Sequence, residues 1–86
     1  MVEKKVVVTL ENGLESRQAA RLVQEAVCYT SRIYIVMEDI QVNAKSIMGV
    51  VSLGALKDET VTVRADGPDE AEAAAAVAAM LGQDIR

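Results

Sequence analysis

The sequence predicts an α+β domain of two layers, an open-faced sandwich with one four-stranded antiparallel sheet and three helices on one of its faces. Three observations carry that prediction. Stretches of period-2 alternation, rich in β-branched residues, are interleaved with stretches of helical spacing. Sharp breaks fall between them at Asn12-Gly13, Gly54 and Asp66-Gly67-Pro68-Asp69. The chain has 86 residues, room for one domain (1–86) and no linker. The expected order is strand, helix, strand, strand, helix, strand, helix (βαββαβα).

At the amino terminus Val2, Lys4, Val6, Val8 and Leu10 alternate with Glu3, Lys5, Val7, Thr9 and Glu11, the pattern of a strand. After the Asn12-Gly13 break, Ala19, Ala20, Leu22, Val23, Ala26 and Val27 fall at helical spacing from Ser16 to about Val27. Ser16 is the expected cap. Glu15 lies just ahead of it, where the amino-terminal end of a helix favours a carboxylate. Cys28, at the end of this helix, reads as a small buried apolar side chain.

Arg32 to Met37 is strand again, with Ile33, Ile35 and Met37 inward, and Glu38-Asp39 turns the chain into a short return strand, Ile40-Gln41-Val42. A second helix follows from Ile47 to about Leu53, with Ser46 at its N-cap, Val50 and Leu53 in the core and Gly54 at its carboxy-terminal cap. Lys57-Asp58-Glu59 is a solvated connection. Thr60 to Ala65 forms the fourth strand, with Val61, Val63 and Ala65 inward. The last helix, Glu70 to about Gly82, is dense in alanine, whose high helix propensity leaves Val77, Met80 and Leu81 as its anchors.

Composition narrows the function classes. With no Trp or Phe and two Tyr, the core has to be aliphatic. Nine basic against thirteen acidic residues give a net charge of −4, the wrong sign for a surface that neutralises nucleic-acid phosphates. One cysteine and no histidine leave no internal disulfide and no zinc set. The Glu3-Lys4-Lys5 start, followed by only three valines, is neither a signal peptide nor a membrane span, so a cytoplasmic protein without direct nucleic-acid or membrane partners is expected. No activated nucleophile or phosphate-cradling glycine loop is found, so neither an enzyme nor a cofactor-dependent protein is expected.

The stretch with most information is Val42-Asn43-Ala44-Lys45-Ser46-Ile47-Met48-Gly49. On physics alone Ser46 reads either as a capping serine before core residues or as a displayed serine beside an apolar helix tip. This stretch, with Ser52 and Leu53 behind it, resembles the regulatory-serine segment of the HPr family, the small phosphocarrier domains of the bacterial sugar phosphotransferase system. The resemblance extends to Met1-Val2-Glu3-Lys4-Lys5-Val6, to Val23-Gln24-Glu25-Ala26 and to the alanine-rich final helix, and implies the same open-faced sandwich.

In that family a phosphoryl group is carried by a histidine opening the first helix. The matching residues here are Gly13-Leu14-Glu15-Ser16-Arg17-Gln18-Ala19-Ala20, so Glu15 stands at the histidine position and Gln18 replaces the usual proline. The resemblance therefore implies a regulatory paralogue of the Crh branch, which keeps the serine and lacks the histidine. In that branch a bifunctional HPr kinase/phosphorylase modifies the serine matching Ser46, and the phosphorylated form is corepressor of a LacI-type catabolite control protein. The implied contact residues are Arg17, Ala20, Lys45, Ile47, Met48 and Val51. Arg17 would help hold the serine phosphate in the complex, its alternative being an exposed helix residue paired with Glu15. Lys45 would serve kinase recognition or offset the phosphate charge. If Glu15, with about half the charge of a phosphate, imitated phosphohistidine, the protein would be a damped regulator. Its exposed pair with Arg17 would be worth under about 1 kcal/mol, so ordinary Crh behaviour is expected. Phosphocarrier action and a constitutive, unphosphorylated docking domain are the rival readings. Sheet edges and an exposed patch leave homodimerisation open.

Overall fold

A computed structural model describes residues 1–85, with side chains described through residue 82. The elements are β1 (Val2–Val8), α1 (Ser16–Ala26), β2 (Arg32–Met37), β3 (Ile40–Asn43), α2 (Ile47–Leu53), β4 (Thr60–Asp66), α3 (Glu70–Leu81) and β5 (Gly82–Ile85). The four expected strands and three helices occur in the expected order. β5 is an addition: it pairs antiparallel with β1 and widens the sheet to β3-β2-β4-β1-β5.

All the pairings are antiparallel. Val6 lies opposite Val61 and Lys4 opposite Val63 in the β1–β4 pair, while Ile35 faces both Val63 of β4 and Val42 of β3. Because side chains alternate along a strand, this register sends Val6, Val8, Ile33, Ile35, Val61, Val63 and Ala65 to one face. There they meet Ala19, Leu22 and Ala26 of α1, Val50 and Leu53 of α2, and Ala73, Ala74, Val77, Ala78 and Leu81 of α3, all buried. Small alanines let α3 lie close to the sheet. At Gly82, where β5 meets β1, an added Cβ would come within 1.9 Å of the Val7 carbonyl oxygen. Only glycine allows α3 to pass directly into β5 there.

Three local expectations are corrected. Ser16 is the first residue of α1 and not its cap, since Glu15, in extended conformation, holds the N-cap position. Cys28 is exposed, its Sγ donating to the Gln24 carbonyl at 3.4 Å, because it lies past the last buried position of α1, Ala26. The last helix stops at Leu81, and Gly82 begins β5.

The start of β2 is tied to the start of α3. The Asp69 carboxylate accepts from the Thr30 and Ser31 amides at 3.0 and 2.9 Å and from the Ser31 hydroxyl. The Ser31 oxygen in turn accepts the Asp69 N–H at 3.2 Å. The hydroxyl and the amides together hold the Asp69 carboxyl down at about 2. No helix among the described residues is long and apolar enough to cross a membrane.

Candidate functional site

The turn before α2 is built almost entirely from local hydrogen bonds. Ala44 is buried, its N–H donating to the Ile33 carbonyl at 2.9 Å, which anchors the turn on the sheet. Asn43 closes it twice: its side-chain oxygen accepts the Lys45 N–H at 2.8 Å and its carbonyl accepts the Ser46 N–H at 3.0 Å. Ser46 is then extended at φ −111°, ψ 114°, and its Oγ accepts the Gly49 N–H at 3.2 Å. This is the capping geometry expected of a serine, and it satisfies one of the first-turn amides that a helix leaves unpaired. Ser46 is thus half-buried, at the very start of α2.

Downstream the helix divides by face. Val50 and Leu53 are fully packed, whereas Ile47, Met48 and Val51 are 45%, 80% and 40% exposed. Both faces of this short helix are apolar, and only one is covered. Gly54, at φ +66°, ends it as expected. The uncovered side chains line an open cleft with Ser16 and Ser52, so the start of α1 lies against α2.

Glu15 is placed by the turn in front of it. Gly13 has φ +65°, and a Cβ there would fall 2.4 Å from the Ala55 carbonyl oxygen. The Leu14 N–H donates to that same oxygen at 2.9 Å, and Leu14 is buried. At the N-cap of α1 the Glu15 side chain makes no capping hydrogen bond, while its carbonyl accepts the Ala19 N–H at 2.8 Å. Glu15 and Arg17 are both exposed, and no ion pair links them among the described residues. Ala20 is half-buried on the next turn.

The sequence-named residues thus separate into two groups. Ile47, Met48 and Val51 share one exposed face beside the start of α1. Lys45 is directed elsewhere, its ammonium donating to the Tyr29 carbonyl at 2.7 Å. Tyr29 donates from its hydroxyl to Glu25 at 3.3 Å, and partial burial with that neighbouring carboxylate pushes its phenol above the ordinary value. One surface residue escaped the sequence reading. Val27, which belongs to the apolar helical pattern of the sequence, is 57% exposed and continues a line with half-buried Ala20 and Val23. The signal was available, since Ala20, Val23 and Val27 are spaced i, i+3, i+7, one step round from the buried Ala19, Leu22 and Ala26.

The family profile described as "PTS HPr component phosphorylation site" matches residues 2–83. HPr-like protein Crh of Halalkalibacterium halodurans is 46% identical over 84 residues, covering 98% of this chain and 100% of that protein. Among solved structures, the phosphocarrier protein HPr of Bacillus anthracis superposes with a TM-score of 0.90 at 44% identity, covering 93% of this chain and 95% of that one. A crystal structure of Bacillus subtilis Crh, described as a domain-swapping, intertwined dimer, gives a TM-score of 0.75 at 46% identity, covering 93% of this chain and 92% of that one. With the profile spanning nearly the whole chain, and with Crh proteins among its near relatives, the chain belongs to the HPr family.

Proposed function

We propose that this chain is a regulatory HPr paralogue of carbon catabolite repression, switched by phosphorylation of Ser46. An HPr kinase/phosphorylase adds the phosphate in the cytoplasm, and the modified protein acts as corepressor of a LacI-type catabolite control protein. The observation that carries this reading is the pairing of Ser46 at the N-cap of α2 with the exposed Ile47, Met48 and Val51 directly behind it. A phosphoryl group there adds close to two negative charges beside the first-turn amides, where an anion is favoured, so the fold stays as it is while the surface changes. The partner then meets an apolar patch beside a dianion, which suits an arginine or lysine at the rim of a hydrophobic groove. Arg17 and Ala20 contribute from α1.

Glu15 stands where the family's phosphohistidine is expected, and the chain contains no histidine. Phosphoryl relay from phosphoenolpyruvate is therefore outside its function. The protein is no enzyme, and its role is exercised through docking. The dimer described for Bacillus subtilis Crh supports homodimerisation here as well. The deciding experiment incubates the purified chain with the kinase and ATP and reads its mass, with Ser46→Ala as control. One added phosphate that disappears in the alanine variant is expected. No phosphate under conditions that modify an ordinary HPr would overturn the switch and favour a constitutive docking domain.

A further inference from the structure

Lys45 is occupied at both ends. Its N–H donates to the Asn43 side chain at 2.8 Å, and its ammonium donates to the Tyr29 carbonyl at 2.7 Å, 16 residues away in sequence. That carbonyl lies just past the C-cap of α1, Val27. The last carbonyls of a helix have no intrahelical partner, and a cation is favoured beside them. α1 carries no basic residue in its own last turn. Tyr29 lies two residues beyond the C-cap, so Lys45 brings a cation close to that helix end from another segment without bonding to the helix's own last carbonyls.

The bond has a mechanical consequence. It joins the turn that displays Ser46 to the carboxy-terminal end of α1, and Tyr29 is itself held by the Ala26 carbonyl at 3.2 Å and packed against the core. Both helices carry apolar side chains that the fold leaves at least partly uncovered: Ala20, Val23 and Val27 on α1, and Ile47, Met48 and Val51 on α2. A partner that spans both helices needs their spacing fixed in advance, because ordering them on binding would cost affinity.

Resting on the Ser46 reading above, we propose that Lys45 is a positioning residue. It acts through the Tyr29 carbonyl to hold the two helix faces in register for the kinase, and does not itself meet the kinase. The test compares the unaltered chain with Lys45→Met, which keeps the stem and loses the donor, and Lys45→Arg, which keeps a donor. Two quantities are read: amide hydrogen exchange over residues 27–31, and KM and kcat for Ser46 phosphorylation by HPr kinase/phosphorylase. In Lys45→Met, exchange at 27–31 rises roughly fivefold, the equilibrium factor of one ordinary hydrogen bond. KM rises with kcat kept, and Lys45→Arg recovers much of both. A raised KM with unchanged exchange would make Lys45 a direct kinase contact and overturn the proposal. Faster exchange with unchanged KM would leave only a structural tie and overturn it equally. No phosphate on the unaltered chain would overturn the Ser46 reading, and the positioning role with it.

Discussion

Replacing Ser46 by alanine removes the oxygen that accepts the Gly49 N–H at 3.2 Å. The loss of an N-cap serine typically costs about 1 kcal/mol, and a long bond on a half-buried residue places this case near that centre. Unfolding entropy is about 2.1 cal/mol/K per residue, so a chain of this length unfolds with about 0.18 kcal/mol/K. The melting temperature of Ser46→Ala should then fall by about 5–6 °C, read by circular dichroism at pH 7. Ser46→Asp keeps an acceptor and places a negative charge beside the free first-turn amides, so it should melt within about 3 °C of the unaltered chain. Equal melting of Ser46→Ala and the unaltered chain, or of Ser46→Asp and Ser46→Ala, would refute the argument that the hydroxyl caps α2. The size of the effect also matters for function. A loss of about 1 kcal/mol leaves a domain of ordinary stability folded, so absence of phosphate on Ser46→Ala reports the missing hydroxyl and not a missing fold.

The Asp69 carboxyl titrates at about 2 in the fold against an ordinary value of 3.8, so its hydrogen bonds stabilise the protein fully above the higher value and are lost as pH falls through the lower. Urea midpoints measured from pH 5 to pH 2 should fall more steeply for the unaltered chain than for Asp69→Asn, and parallel curves would refute this. Met48 is 80% exposed, so Met48→Asp should leave stability unchanged within about 0.5 kcal/mol while lowering the rate of Ser46 phosphorylation at least about tenfold. The measurements are a urea melt and a kinase time course. Glu15→Gln should leave the rate of Ser46 phosphorylation unchanged, because a single exposed carboxylate is a poor copy of a phosphate; a faster rate would establish partial mimicry.

The sequence was most legible where local rules and packing agree. The hairpin at Glu38-Asp39, the inward positions of β2 and β4, the Ser46 cap and the left-handed Gly54 all follow from alternation and turn chemistry, and the structure places them as expected. β5 was illegible because Gly82-Gln83-Asp84-Ile85 has no alternation, and its pairing is imposed by the free edge of β1. The exposure of Cys28 was illegible for a related reason, because the covering elements decide how far along α1 burial extends, and it ends at Ala26. The target of the Lys45 ammonium could not be read at all, since the Tyr29 carbonyl is backbone and leaves no mark in the side-chain pattern.

The two ends that bear on function are built in different ways. At α1 the turn depends on Gly13, Leu14 and the Ala55 carbonyl, and neither the Glu15 nor the Gln18 side chain has a hydrogen bond in it among the described residues. Glu15 and Gln18 can therefore stand at the start of α1 without loosening the entry to the helix. At α2 nearly every residue of the turn is bound: Asn43 to two amides, Ala44 to the sheet, Lys45 to α1 and Ser46 to its own helix. Substituting Asn43, Lys45 or Ser46 would each remove one of these bonds. The start of α1 thus tolerates a change of side chain at Glu15 and Gln18, whereas the Ser46 turn is closely bonded and lies beside the exposed apolar side chains of α2. Exposing Ile47, Met48 and Val51 to water is unfavourable for the isolated domain, a cost that docking under the proposed function would offset.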